Sequence, residues 1–263
     1  MKSEHLLILD GLSKSFGRVV AAENLKLTVR AGEALGIVGP NGAGKSTLFN
    51  VISGDLTPNA GSVVFDAIDV TKHNSYKRTR AGMGRTYQVP RPFEHMTVFE
   101  NVLVAVHQGA GLTGHEAWGK ADEVLQRTGL IEQVNLPAGR LALLQRKRLE
   151  VARAWATNPK LLLLDEVAGG LTTPEVSELV ELVKQVHQSG VAIVWIEHVV
   201  QALTSTVDRL LCLAGGRIVA DGIPAEVMVN PEVRELYLGG SLETELEPGS
   251  DADAGPGAGG RQT

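Results

Sequence analysis

Nine consecutive residues, Gly39-Pro40-Asn41-Gly42-Ala43-Gly44-Lys45-Ser46-Thr47, have the types and spacing to grip a polyphosphate. Glycines at 39, 42 and 44 let a loop curl so that successive backbone N–H groups converge on one anion. The Lys45 ammonium can reach the β- and γ-phosphates, and the Ser46 hydroxyl can ligate Mg²⁺. The apolar run 34–38 ahead of the loop has strand character, and residues 48–53 behind it read as a helix. Strand, glycine-rich loop and helix in that order form the context of a phosphate-binding P-loop. A helix starting near Lys45 aims its partial positive end at the same anion. A glycine-rich turn with a chance Gly-Lys-Ser is the plain alternative, and partners elsewhere in the chain weigh against it.

Those partners are Asp165, Glu166 and His198. The first two end the apolar run 161–164, and His198 follows Glu197 after the apolar run 191–196. Runs of this kind fit strands buried on both faces, as in a parallel sheet, and such sheets place ligands at the carboxyl ends of their strands. Asp165 stands where a second Mg²⁺ contact is expected, through water. Glu166 is suited to orient and polarise an attacking water. His198 could touch the γ-phosphate or hold that water. Taken alone, an Asp-Glu pair after leucines reads as a helix cap and a lone histidine as structural; behind a P-loop, in this order, they read as one site. Phe16 precedes the P-loop in residues 12–17, which read as an otherwise polar turn. It is either a small hydrophobic plug or a ring that stacks on a nucleotide base, which needs only a π-face.

The elements that must position these groups can be sketched from periodicity and turn chemistry. Residues 6–9 and 25–29 read as strands, the second with period-2 alternation, and 62–65 as another. Residues 71–82 are polar and basic without a period. Two prolines, Pro90 and Pro92, end regular structure after Gln88. Residues 97–106 have helical spacing, with Thr97 and Glu100 placed for a capping box. A break at 109–114, a helix over 116–128, a loop over 129–139 and a strong helix over 144–157 complete a helical middle. A helix over 175–189 joins the two buried strands. Residues 210–214 and 217–221 flank Gly215-Gly216 as a hairpin, and short helices follow at 224–229 and 232–238. From about Gly239 the sequence turns to Gly, Ala, Pro, Asp and Glu, and residues 240–263 read as a disordered tail.

Composition bounds the rest. The chain has 263 residues, 43% hydrophobic and 21% charged, which is globular and long enough for a large core. A formal net charge of −5 points away from nucleic acid and from direct binding to an anionic membrane. The single cysteine, Cys212, lies among leucines and reads as a core residue. No apolar run approaches the roughly 20 residues that span a bilayer, and the N-terminus does not read as a signal peptide. The expected location is therefore the cytosol, with any membrane role exercised through a partner protein.

With these residues together, the chain resembles the ATP-binding-cassette (ABC) ATPases over nearly its whole length. Gly39–Thr47 matches the Walker A motif, 161–165 Walker B, Glu166 the catalytic glutamate, Gln88 the Q-loop glutamine that senses Mg²⁺ and the membrane partner, His198 the H-loop and Phe16 the base-stacking aromatic. The resemblance implies an α/β fold: a P-loop NTPase with a RecA-like core, an antiparallel β subdomain and an inserted α-helical subdomain over about 89–156, within a domain spanning 1–239. It implies ATP and Mg²⁺ as ligands, with Ser46, Gln88 and Asp165 at the metal. It also implies a second ATPase subunit, transmembrane permeases and, indirectly, an extracytoplasmic solute-binding protein, at the cytoplasmic face of the inner membrane. The stretches 84–88, 96–102, 148–154, 208–210 and 222–227 are most similar to the ATP-binding subunits of branched-chain amino-acid importers, a pattern shared with lipid-export and urea-import ATPases.

Two departures stand out. The family's Leu-Ser-Gly-Gly-Gln signature here reads Leu141-Ala142-Leu143-Leu144-Gln145, without the hydroxyl and with bulk in place of glycine. The loop Gly169-Gly170-Leu171-Thr172 lacks the acidic or amide residue common after its leucine. In the family each ATP lies between one subunit's P-loop and the other's signature, so these departures suggest a heterodimer with one strong and one weak site. Two further readings are a weakly hydrolysing regulatory subunit and a soluble mechanical ATPase acting on nucleic acid or ribosomes. Intact Glu166 and His198 oppose the first; a single cassette, no heptads and an acidic balance oppose the second.

Overall fold

The computed structural model describes residues 4–238; the expected tail, 240–263, lies outside them. The elements in chain order are β1 (His5–Phe16), β2 (Val19–Arg30), β3 (Ala34–Val38), α1 (Lys45–Ser53), β4 (Ala60–Phe65), β5 (Ile68–Asp69), α2 (Ser75–Arg80) and β6 (Met83–Arg85). Then come α3 (Val98–Ala105), which continues as a π-helix over Val106–Ala110, α4 (Gly114–Arg127), α5 (Leu143–Ala156) and β7 (Leu161–Asp165). The chain ends with α6 (Thr173–Gln188), β8 (Ala192–Ile196), α7 (Val200–Thr204), β9 (Arg209–Ala214), β10 (Arg217–Gly222), α8 (Pro224–Val229) and α9 (Pro231–Leu238).

Two sheets carry the fold. The larger runs β10-β9-β3-β8-β7-β6, parallel except for the antiparallel edge strand β10. The smaller, β2-β1-β4-β5, is antiparallel throughout. The large sheet is buried on both faces, so alternate residues of each strand serve different cores. Leu161 and Leu163 pack with Val194, Ile37, Phe49 and the antiparallel sheet. Leu162 and Leu164 pack with Trp195, Val183 and Cys212 on the other side. Burial there pushes the Cys212 thiol up to about 11, which suits an inert core residue. A third cluster, including Val102, Val124 and Leu149, belongs to the helices between β6 and β7. This is the expected architecture of parallel core, antiparallel sheet and inserted helices.

Local chemistry explains most boundaries. The capping box at α3 forms as expected: Thr97 Oγ1 accepts from the Glu100 N–H, and Glu100 accepts from the Thr97 N–H at 2.7 Å. A second box, Thr172 with Glu175, opens α6. In three places the structure differs from the periodicity. The stretch 12–17 is not a turn: β1 runs on to Phe16, pairing Lys14 with Ala22 and Phe16 with Val19, and only Gly17-Arg18 turn. Its outer end is solvated, so backbone pairing and not hydrophobic alternation holds it. The break expected from Gly109 begins at Gly111, because the π-helix carries the chain through Ala110. Residues 75–80 form α2, capped by Asn74, whose side chain accepts from the Lys77 N–H at 3.1 Å.

Helix α2 has no apolar stripe because what it buries is a charge. The Arg78 guanidinium, 1% exposed, donates to the carbonyls of Val51 and Ile52, each at 2.7 Å, at the end of α1. It also donates to His73 and Thr71 carbonyls at 3.0 and 3.1 Å. It thus closes the carbonyl end of the helix that begins at the P-loop. Burial pushes it down to about 10. Replacing Arg78 with Met strands four carbonyls, two of them buried, at a cost of about 3 kcal/mol. A urea unfolding midpoint equal to that of the unaltered protein would refute this role.

Candidate functional site

The three expected groups emerge at the same edge of the parallel sheet. β3 runs into the P-loop, β7 ends at Asp165 and β8 ends two residues before His198. The loop is shaped by contacts that exclude side chains. Gly39 has φ +151°, and a Cβ there would lie 2.0 Å from the Leu213 carbonyl oxygen; Gly44 has φ +102°, with the Ala21 carbonyl oxygen 2.1 Å away. Neither position admits another residue. Pro40 to Ala43 form the turn itself, with the Ala43 N–H donating to the Pro40 carbonyl at 3.2 Å. Gly44 is the N-cap of α1 and makes no side-chain cap, so the helix N–H groups face the loop. Ser46 is exposed in the first turn and Thr47 half-buried behind it.

Lys45 is buried and turned back into the loop, where its ammonium donates to the carbonyls of Gly39 at 2.7 Å and Pro40 at 3.0 Å. Burial lowers its pKa, and the charges of Glu166 and then Asp165 oppose that shift. Both carboxylates therefore lie in the field of the P-loop cation.

Glu166 is the centre of the remaining contacts. Its Oε1 lies 2.7 Å from His198 Nε2, and its Oε2 accepts from Gln88 Nε2 at 2.5 Å. The structure thus brings Gln88, Glu166 and His198 together, with Gln88 engaged to the glutamate. Glu166 itself has φ +47°, the left-handed region, rare for a residue with this side chain. Its N–H donates to the Ile196 carbonyl at 2.9 Å, tying the turn after β7 to the end of β8. Strain held at a polar cluster is a mark of function. Phe16 stands apart from this cluster at the tip of the β1–β2 hairpin, 49% exposed, with the Lys14 ammonium 5.4 Å from its ring centroid. Its link to the loop is through β2, whose Ala21 carbonyl abuts Gly44.

Asp165 is buried, and burial raises its carboxyl pKa against the nearby Arg85 guanidinium, whose Nη2 lies 3.3 Å from Oδ2. Among the described residues no cluster of three or more His, Cys, Asp and Glu could hold a metal by itself. Mg²⁺ in nucleotide sites takes one or two carboxylates and relies on phosphate and water for the rest. The buried Asp165 carboxylate and the exposed Ser46 hydroxyl in the first turn of α1 are both hard oxygen donors, and that chemistry suits Mg²⁺ carried by a polyphosphate.

Sequence reasoning passed over four groups. Arg85 joins Asp165 to Asp55, with Nη1 2.8 Å from Asp55 Oδ2, and also donates to Ser53 Oγ at 2.7 Å. Thr86 Oγ1 accepts from the Asp165 N–H at 3.1 Å. Glu197, buried, accepts from the Ala168 N–H at 2.6 Å and the His198 N–H at 3.2 Å. Lys147 reaches the Gln88 and Glu166 carbonyls. The signal for Arg85 and Thr86 was their place in 84–88; for Lys147, a cation on the inward side of a helix.

The divergent segment 141–145 also resolves. Ala142 caps α5 without a side-chain bond. Leu144 is buried, so only Leu143, 43% exposed, brings bulk to the surface. Its Cδ2 lies 3.4 Å from where a Cβ on Gly170 would stand.

Comparison with known proteins bears on this geometry. Residues 22–169 match the family described as ABC transporter, and residues 217–243 match the family described as branched-chain amino acid ATP-binding cassette transporter. The chain is 36% identical over 252 residues to the high-affinity branched-chain amino acid transport ATP-binding protein LivG of Salmonella typhimurium, covering 90% of this chain and 99% of LivG. It is 30% identical over 234 residues to the lipopolysaccharide export system ATP-binding protein LptB of Haemophilus influenzae, covering 89% and 97%. The ADP conformation of MJ1267, an ATP-binding cassette of an ABC transporter, superposes with a TM-score of 0.82 at 30% identity, covering 89% and 99%.

The raised Asp165 pKa has a measurable consequence. The buried carboxylate is tolerated without penalty below the unfolded value of 3.8, and stability is lost as pH climbs through the higher folded value. The Asp165→Asn protein should therefore unfold at a higher temperature than the unaltered one at pH 7.5, with the gap closing toward pH 4. A gap that widens on acidification would show that the Arg85 ion pair outweighs burial.

Proposed function

The chain belongs to the ATP-binding subunits of ABC transporters, and from that premise we propose that it energises import of branched-chain amino acids, with Glu166 as the residue that readies water. ATP hydrolysis is the reaction of the family, and the observation that carries the assignment of Glu166 is its carboxylate, held at both oxygens by Gln88 and His198 within the field of Lys45. A held carboxylate accepts the proton of a water that attacks the γ-phosphorus, while the bond to the β–γ bridging oxygen breaks and ADP leaves. The P-loop N–H groups and Lys45 bind the phosphates, and Phe16 stacks on the base. His198 and Gln88 keep the carboxylate aimed. Bound at Ser46 and Asp165, Mg²⁺ would neutralise charge on the phosphoryl oxygens.

The cargo follows from likeness to LivG along nearly its full length and from the match over 217–243. Lipopolysaccharide export, after LptB, is the second reading and rests on lower identity. No helix among the described residues is long and apolar enough to cross a membrane. As a transporter's ATP-binding subunit, the chain is held at the inner membrane's cytoplasmic face by permeases. The exposed stretch Val89 to Phe93, stiffened by Pro90 and Pro92, is the contact offered to them. Leu143 at the start of α5 favours a different second ATPase subunit over a copy of this one, because a copy would bring the same bulk to both P-loops, whereas a different subunit can bring an intact signature to this one.

In the transporter reconstituted with permeases, solute-binding protein and partner ATPase, Glu166→Gln should cut phosphate release by roughly 10²–10⁴-fold while ATP remains bound. The matching change in the partner should cost far less. Equal losses, or full activity of this chain alone, would sink the asymmetric pairing. Uptake of lipid but not of leucine, isoleucine or valine would sink the cargo.

A further inference from the structure

Helix α5 holds the stretch 88–91 by its main chain. Lys147 Nζ donates to the Gln88 carbonyl at 2.8 Å, and Glu150 Oε1 accepts from the Arg91 N–H at 2.6 Å. Arg153 Nη1 donates to the Arg91 carbonyl at 2.8 Å and to Glu150 Oε1 at 3.1 Å. Spaced three residues apart, these side chains form one polar stripe on an otherwise packed helix. Lys147 alone reaches further. Its ammonium lies 3.3 Å from the carbonyl oxygen of Glu166, so a single buried cation joins the two residues whose side chains also join each other.

Two features make this contact more than packing. Lys147 is only 3% exposed, and burial lowers its pKa while the charges of Glu197, Glu150, Glu166 and Asp165 oppose the shift. A cation kept in such a place, with main-chain carbonyls as its hydrogen-bond partners, fixes where those carbonyls point. One of them belongs to Glu166, whose φ of +47° persists only while its surroundings impose it. The Gly169 N–H, 3.3 Å away, is a second donor to the same oxygen; without the ammonium only that long hydrogen bond keeps the residue from relaxing toward ordinary backbone, where its carboxylate leaves Gln88 and His198. Helix α5 is also the helix that opens with Leu143 at the surface.

We propose that Lys147 is a positioning residue for ATP hydrolysis: its ammonium clamps the Gln88 and Glu166 carbonyls and makes the aim of the Glu166 carboxylate depend on the placement of α5. The proposal rests on Glu166 being the group that readies water. It extends that reading to a residue that touches neither nucleotide nor water.

The test uses the assembled transporter with Lys147→Met, Lys147→Arg, Glu166→Gln and the Lys147→Met/Glu166→Gln double variant. Phosphate release is titrated with ATP, and nucleotide affinity is measured separately by equilibrium binding. Lys147→Met should lower kcat roughly 10- to 100-fold with KM and nucleotide affinity within about twofold. Lys147→Arg, which keeps a charged donor, should recover most of the loss. In the double variant the methionine should cost nothing beyond Glu166→Gln. If Lys147→Met does not assemble, Lys147→Gln carries the same comparison, since it keeps a donor without the charge. A kcat within about twofold of the unaltered protein, a loss explained by weaker nucleotide binding, or an undiminished further loss in the Glu166→Gln background would each overturn the proposal. Wild-type turnover by Glu166→Gln would instead overturn the reading of Glu166 beneath it.

Discussion

A sheet buried on both faces can present charge only where its strands stop. β3 and β8 are apolar from end to end, β7 is apolar up to its last residue, Asp165, and all three are covered on each side by a packed core. An ionised group within them would lose its water with nothing to replace it. Chemistry is therefore confined to the last residue of each strand and the chain just past it, and the parallel arrangement puts those ends side by side. Glu166 hydrogen-bonds to the end of β8, and Lys45 senses the carboxylates at the end of β7. The site is a consequence of strand direction before it is a consequence of any one motif.

Gathering charge at a buried edge has an energetic cost that the structure does not hide. Burial shifts Lys45 and Lys147 downward and Asp165 and Glu197 upward, in each case toward the neutral form. The charges survive because they oppose one another's shifts and because their hydrogen bonds go to main-chain groups or to a second ion. Arg85 illustrates the arrangement: one guanidinium spans Asp55, Ser53 and Asp165, so the carboxylate suited to Mg²⁺ is held without being fully neutralised. An apolar replacement of such a network would often be no less stable. Its retention here is an argument for use, and perturbed groups cluster where function is.

The legible part of the molecule was that written in short windows. The P-loop, the two carboxylates after four leucines, the capping box of Thr97 and Glu100 and the Gly215-Gly216 hairpin each depend on neighbours a few residues away. The strands of the large sheet were readable because burial on both faces leaves an unbroken apolar run. What escaped depends on distant partners. Helix α2 hides its reason for being in Arg78, whose acceptors include the end of α1, more than twenty residues back. Arg85 meets Asp165 and Lys147 meets Gln88 across most of the inserted helices. Leu144 looked equivalent to Leu143 in sequence, yet the roughly 100° step from one helical residue to the next sends one inward and leaves the other at the surface. The outer end of β1 carried no hydrophobic rhythm because solvent covers it.

Helix α5 is where these separate facts meet. Leu149, Ala152 and Ala156 face the core of the inserted helices, while Val151, Ala154 and Trp155 face the central sheet. The stripe of Lys147, Glu150 and Arg153 faces the main chain of 88–91. Three kinds of neighbour therefore fix one rigid rod, and close-packed interiors yield by switching arrangements more readily than by stretching. If the rod turns, the apolar contacts can be remade with other apolar neighbours, because they are non-directional. The hydrogen bonds cannot, because they are directional and two of their acceptors belong to Gln88 and Glu166. A shift at the surface around Leu143 is thus felt least by the cores and most by the carboxylate that faces the P-loop. That ordering of compliance is what a helix must have if it is to report a partner's approach to a site it does not itself enter.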